Sequence, residues 1–167
     1  KAAEAGINLI DTAECYGDHL AERLVGDYLS RHERDRWVVA TKFGHRFRGF
    51  MDRADEFGPA QVREQLIASL RALRTDRIDL YQFHSGTDEA FLDDGLRAVL
   101  DEARRAGMVR NLGVSIRGSG SEVQAREAFG RGFGVLQVVY NRLDARAESE
   151  VFPYARRFGL GILARVP

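Results

Sequence analysis

A parallel α/β fold, either a (β/α)-barrel or a doubly wound sheet, is predicted for this chain by three observations. Short β-rich runs alternate strictly with amphipathic stretches, which implies right-handed βαβ units and a parallel sheet. The units repeat at about 25 to 40 residues, the length of one strand–helix unit in either architecture. Three successive runs are apolar and then finish, on their C-terminal side, in a single ionisable residue. Parallel α/β sheets collect their functional groups at those strand ends.

The strand candidates, in order, are "INLIDT" (7–12), "WVVATK" (37–42), "IDLYQFH" (78–84), "VRNLGVS" (109–115), "VLQVVY" (135–140) and "LGILAR" (160–165). After the first comes a helix with Leu20, Leu24 and Tyr28 on one face, opened by Asp18 as N-cap. The second helix carries Val62, Leu66, Leu70 and Leu73, with Pro59 in its first turn, where a missing N–H costs nothing. The third carries Leu92, Leu96, Val99, Leu100 and Ala103, and Gly107 stops it. A fourth, near 121–130, is weakly patterned. The fifth carries Val151, Tyr154, Ala155 and Phe158 and closes at Gly159. "GSGSEV" (118–123) resembles half of a dinucleotide-binding glycine fingerprint but lacks the third glycine, and it reads as a loop. "HRFRGF" (45–50) is expected at the mouth of the fold, with Phe47 and Phe50 either lining a pocket or capping the core.

The 167 residues suffice for one domain, and 44% hydrophobic with 30% charged residues is ordinary globular composition. Lys plus Arg equals Asp plus Glu at 25 each, so the excess cation that a nucleic-acid surface or a polybasic membrane anchor needs is missing. No apolar run approaches the roughly 20 residues of a membrane span. A single cysteine, Cys15, forms no internal disulfide, and a cytoplasmic location is the expectation. His19, His32 and His45 have no metal-ligand spacing. The chain starts at Lys1 inside a helical pattern and stops at Pro167 just after a strand, so a fragment is expected, with the runs at 7–12 and 160–165 as open sheet edges.

Alternate strand residues share a face, so rows can be followed to their ends. Ile7 and Leu9 lead to Asp11. Val38 and Ala40 lead to Lys42. Ile78, Leu80 and Gln82 lead to His84. Singly, an Asp after a strand is usually a cap, a Lys a solvated end, a His a satisfied core group, and Tyr16 a half-buried aromatic. Together, an acid, an amine and an imidazole ending three successive strands, with a phenol just beyond the first, make a chemical set. A phenol titrates near 10, too high for an efficient acid at neutrality, and a nearby ammonium favours the phenolate. The carboxylate holds the ammonium, the imidazole orients a carbonyl, and the phenol protonates the developing alkoxide. No side chain supplies hydride, so a nicotinamide cofactor is implied.

The segments "GINLIDTAECYG", "VVATKFG", "DLYQFH", "GMVRNLGVS" and "LQVVYNRLD", in this order and spacing, resemble the aldo-keto reductases over essentially the whole chain. The resemblance implies a TIM-type (β/α)8 barrel, here an incomplete one of about six parallel β/α units in one domain, 1–167. It implies Asp11, Tyr16, Lys42 and His84 as catalytic residues, with Tyr16 the general acid. It implies Ser115 and Gln137 at the nicotinamide amide and NADP as cofactor, with NAD as the alternative. A small carbonyl compound, an aldehyde or ketone, is the expected substrate. Two positions depart from the family's pattern: Ile116 follows Ser115 where Asn is common, and Arg165 replaces a tyrosine that stacks on the nicotinamide. A guanidinium plane also lies against aromatic rings, so Arg165 is assigned to the cofactor site. The family's first and eighth strands have no counterpart here. Two rival readings keep the fold: a cofactor-binding regulatory subunit without turnover, and a lyase using Lys42 as a Schiff base.

Overall fold

A computed structural model describes residues 1–50, 52–117 and 121–166. In chain order its elements are β1 (Leu9–Asp11), α1 (Leu20–Leu29), β2 (Val38–Phe43), β3 (His45–Gly49), β4 (Asp52–Asp55), α2 (Pro59–Ala72), β5 (Ile78–His84), α3 (Asp88–Leu92), α4 (Asp94–Arg105), β6 (Val109–Ser115), α5 (Glu122–Glu127), β7 (Phe133–Val139), α6 (Ala147–Glu150), α7 (Phe152–Phe158) and β8 (Gly161–Arg165). The main sheet runs β1-β2-β5-β6-β7-β8, with every pair parallel, and curls into a half-barrel. The barrel alternative therefore replaces the doubly wound one. The predicted runs at 7–12 and 160–165 supply its two edges, β1 and β8.

The core lies between the outer face of the sheet and the helices. Val39, Phe43, Tyr81, Phe83, Leu112, Val114, Leu136 and Val138 supply the sheet side, and Val62, Leu66, Leu96, Leu100 and Ala103 the helix side. These are alternate strand residues meeting helix residues spaced at three and four, which is why the two periodicities in the sequence coincide in space. The opposite, inner face carries the rows that end in Asp11, Lys42 and His84. Register fixes their relative heights: Lys42 lies beside Gln82, His84 beside Ser115, and Ser115 beside Gln137.

Local chemistry sets the helix starts. Thr87, Asp93 and Ser121 each accept from a backbone N–H at the start of α3, α4 and α5. Pro59 opens α2, and Gly159, in the left-handed region at φ 66°, closes α7. Ser121 as cap, with Glu122 and Val123 as the first helical residues, corrects the loop reading of that part of "GSGSEV". Residues 118–120 lie outside the described residues.

Several expectations need correction. Asp18 is not the cap of α1; His19 occupies that position, with its Nδ1 on the Glu22 carboxylate at 2.5 Å. Only the C-terminal member of the expected apolar stripe of α1, Tyr28, packs against the core; Leu20 is 50% and Leu24 is 62% exposed. Glu22, Gly26 and Leu29 face inward instead. Gly26 permits this, because a Cβ there would sit 2.3 Å from the Ala72 carbonyl oxygen, so α1 crosses the end of α2 at backbone contact. Leu92 belongs to the short α3 rather than to α4 and is exposed. Ile162 and Ala164 pair with Leu136 and Val138 and so belong to the outer face, although the strand's polar end residue, Arg165, lies on the inner one. "HRFRGF" begins an antiparallel hairpin, β3–β4, whose Phe50 is 94% exposed and does not cap the core, while Phe47 lines a hollow beside Glu14 and His45, in keeping with one of its two expected roles. The hairpin leaves β2 through Gly44 at φ 113°, where a Cβ would fall 1.8 Å from the Phe57 ring. Only glycine fits there.

Candidate active site

Strand β1 delivers Asp11, β2 delivers Lys42 and β5 delivers His84 to one rim, at the C-terminal ends of the parallel strands. The turn after β1 brings back Tyr16. Lys42 is only 1% exposed, and its ammonium donates to the Asp11 carboxylate at 2.9 Å and to the Thr12 carbonyl at 2.7 Å. Burying an ammonium is tolerable only with such partners. Gln82 donates its side-chain amide to the other Asp11 oxygen at 3.0 Å, so the carboxylate is held from both sides. The Lys42 nitrogen lies 5.2 Å from the centroid of the Tyr16 ring. Tyr16 meets the His84 ring edge-on at 6.3 Å, with Tyr16 46% exposed and His84 buried. The four residues that the sequence singled out are thus one cluster.

Burial, and after it the Lys42 ammonium, hold the His84 pKa down to about 2. The imidazole is neutral at physiological pH, so it offers one N–H and one lone pair.

Next along the rim, the Ser115 hydroxyl donates to Gln137 Oε1 at 3.1 Å, both residues buried. Arg165, at the end of β8, donates to the Ile116 carbonyl at 3.1 Å, while its buried Nε has no hydrogen-bond partner among the described residues. Of the three residues assigned to the cofactor, Ser115 and Arg165 end β6 and β8, and Gln137 lies two residues before the end of β7, the strand between them.

The sequence reading missed two groups under the rim. Glu14, in the turn between Asp11 and Tyr16, is 3% exposed and accepts from the His45 backbone N–H at 3.1 Å. Burial raises its carboxyl from the ordinary range to about 8, against the lowering effect of that N–H. Its Oε2 has no hydrogen-bond partner among the described residues. His45 is buried with its ring 4.8 Å from that of His84, and burial lowers its pKa. A carboxylate in a turn reads as solvated from sequence; the only available hint was that Glu14 sits between two residues already assigned to the site.

The profile of the Aldo/keto reductase family matches residues 1–167, and the chain belongs to that family. Among its relatives, an uncharacterized oxidoreductase of Bacillus subtilis is 32% identical over 173 residues, which cover 100% of this chain and 53% of that protein. The NADH-specific methylglyoxal reductase of Escherichia coli is 30% identical over 178 residues, covering 100% of this chain and 54% of that protein. The holo form of an aldo-keto reductase from Bacillus halodurans superposes with a TM-score of 0.87 at 33% identity, covering 98% of this chain and 53% of that one. An aldo/keto reductase from Klebsiella pneumoniae, in complex with NADP and acetate, gives 0.78 at 27% identity, covering 97% and 53%. The chain spans about half the length of the curated relatives it matches.

Proposed function

We propose that this chain carries the proton-transfer half of an aldehyde or ketone reductase that draws hydride from NADPH, or from NADH. The observation that carries the reading is the Lys42–Asp11 pair at 2.9 Å with its ammonium 5.2 Å from the Tyr16 ring. In it, Tyr16 is the general acid. Its O–H gives a proton to the carbonyl oxygen as negative charge develops there, and the Lys42 ammonium stabilises the phenolate left behind. Asp11, itself held by Gln82, fixes the position of the Lys42 ammonium. Neutral His84 donates an N–H to the carbonyl and orients it. The dinucleotide, when bound, supplies hydride to the carbonyl carbon, so the products are an alcohol and the oxidised cofactor.

The rim residues of β6 to β8 fit a nicotinamide. With Gln137 Oε1 committed to Ser115, the Gln137 amide NH2 is the end that can donate to a carboxamide oxygen. The Arg165 guanidinium is anchored through one nitrogen to the Ile116 carbonyl, and its planar face suits a group laid against the ring. NADP is the cofactor in one solved relative and NADH in another's name, so both remain within the proposal. Lys42 is a poor Schiff-base nucleophile in this setting, because two of its three N–H donors are held by Asp11 and Thr12, and an ion-paired ammonium has no lone pair with which to attack.

The test is Tyr16→Phe. A transition-state proton donor belongs in kcat, so turnover of aldehydes should fall about a thousandfold, while the Kd for the reduced cofactor changes less than about twofold. Surviving turnover with collapsed cofactor affinity would overturn the assignment. A borohydride-trapped adduct on Lys42 would favour the lyase.

A further inference from the structure

Beneath the rim, three side chains from two segments converge. A Glu14 carboxylate oxygen, Cys15 Sγ and a His84 ring nitrogen all lie within 4.8 Å of one another. Cys15 Sγ lies 3.9 Å from His84 Nδ1. Glu14 is 97% removed from solvent, yet its Oε2 has no hydrogen-bond partner among the described residues. An unpartnered carboxyl oxygen in such a place is costly unless something takes it up. One oxygen of that carboxyl lies within 4.8 Å of a thiol and an imidazole.

We propose that Glu14, Cys15 and His84 form a binding site for a divalent soft transition metal, with Zn2+ as its physiological class. Carboxylate, thiolate and imidazole are the ligand types zinc takes, and three protein ligands leave a fourth position open. The geometry is close to what the ion needs. Bond lengths of about 2.0 Å to nitrogen and 2.3 Å to sulfur at a tetrahedral centre place those two atoms about 3.5 Å apart. The observed 3.9 Å therefore has to close by a few tenths of an ångström, which a small rotation of the Cys15 side chain supplies, and the edges to the Glu14 oxygen, at most 4.8 Å, close as that side chain rotates. Binding releases the thiol proton and the proton of any carboxylic acid form, and two anionic ligands then balance the dication. Arg53, whose guanidinium is 3.9 Å from Cys15 Sγ, opposes the ion and must swing aside; it sits on the exposed hairpin strand β4, where that is easy. The Lys42 charge is already matched by Asp11. An occupied site puts a dication beside His84 and Tyr16, so under the reductase reading above it is inhibitory. The site itself does not depend on that reading.

Cobalt(II) tests it directly, without substrate or dinucleotide. Cys15 is the only cysteine in the chain, so any thiolate-to-cobalt charge-transfer band has one source. Titrating the metal-free protein with Co2+ should develop that near-ultraviolet band together with tetrahedral visible bands, and one equivalent of Zn2+ should abolish both. Cys15→Ala should remove the charge-transfer band. Glu14→Gln, which keeps the shape of the side chain, and His84→Gln should each weaken Co2+ about tenfold or more. Circular dichroism confirms that the variants fold. A missing thiolate band in the folded protein would overturn the proposal. So would a band whose midpoint is unmoved in both Glu14→Gln and His84→Gln, since that would mark a bare thiol binding the ion unaided.

Discussion

Two buried carboxyl groups near opposite ends of the same sheet have opposite fates. Asp79, near the N-terminal end of β5, is 5% exposed and fully engaged: Arg34 donates to it at 2.7 Å, the Val39 N–H at 2.9 Å and Arg110 at 2.9 Å. Glu14, below the C-terminal rim, is 3% exposed and receives one backbone N–H. Burial works to raise both. At Asp79 the Val39 N–H, then Arg34 and Arg110, outweigh it, and the net shift is downward. At Glu14 nothing outweighs it, and the group sits at about 8. The base of the sheet is thus closed electrostatically, and the rim is left with open valences. Closure is what a structural acid needs; open valence is what binding and catalysis need.

The largest expected effect lies at the base. Asp79→Asn leaves Arg34, whose side chain is 16% exposed, beside a neutral partner. Because both arginines keep some access to water, the low end of the range for a broken buried pair applies. The loss should be about 3 kcal/mol, and the melting temperature should drop by on the order of 10 °C. Urea denaturation gives the number. A loss below about 0.5 kcal/mol, the surface-pair range, would show that the base is not closed in the sense argued.

The rim should answer with the opposite dependence on pH. Folded Glu14 titrates at about 8 against 4.5 for the unfolded group. The native state therefore holds a proton that the unfolded chain has lost, and stability falls as pH rises through that interval. His84, lowered to about 2 from 6.5, has the reverse sign: its contribution is present above 6.5 and is lost as pH falls. The two slopes oppose between 4.5 and 6.5, and Glu14 stands alone from 6.5 to 8. In EDTA, the chain should lose about 2 kcal/mol over that upper window, at up to about 1.4 kcal/mol per pH unit. Glu14→Gln should flatten the slope. An unchanged slope in the variant would mean that Glu14 is already ionised at neutrality and that the contrast with Asp79 is false.

How much of this was legible in the sequence follows the same division. Strands β5 and β6 were read to the residue, because alternating branched and aromatic residues have one stable solution between helices and a neighbouring strand. The cluster of Asp11, Tyr16, Lys42 and His84 was legible because rows on a parallel sheet must end at one rim. What failed were features set by close approach rather than by pattern. The face of α1 was misread because Glu22 points inward to accept from Thr41 at 2.6 Å, and Gly26 turns the helix to do so. Glu14 and His45 were missed because burial of a turn residue depends on a hairpin folding over it. Asp79 was passed over as one more charge in a strand, since Arg34 and Arg110 are far from it in sequence.

The smallest effect tests how the base is closed. Arg34 and Arg110 both hold Asp79, but Arg34 also donates to the Trp37 and Arg77 carbonyls, while the Arg110 side chain is 54% exposed. An ion pair with one partner in water gains little, because solvent already stabilises the charge and the long side chain loses freedom in holding one geometry. Arg110→Ala should therefore cost about 0.5 kcal/mol, and that cost should shrink further in high salt. Asp79 would remain charged, with Arg34 and the Val39 N–H still in place. If removing Arg110 cost as much as replacing Asp79 itself, neutralisation would be shared across the exposed arginine. The base of the sheet would then be as open as the rim.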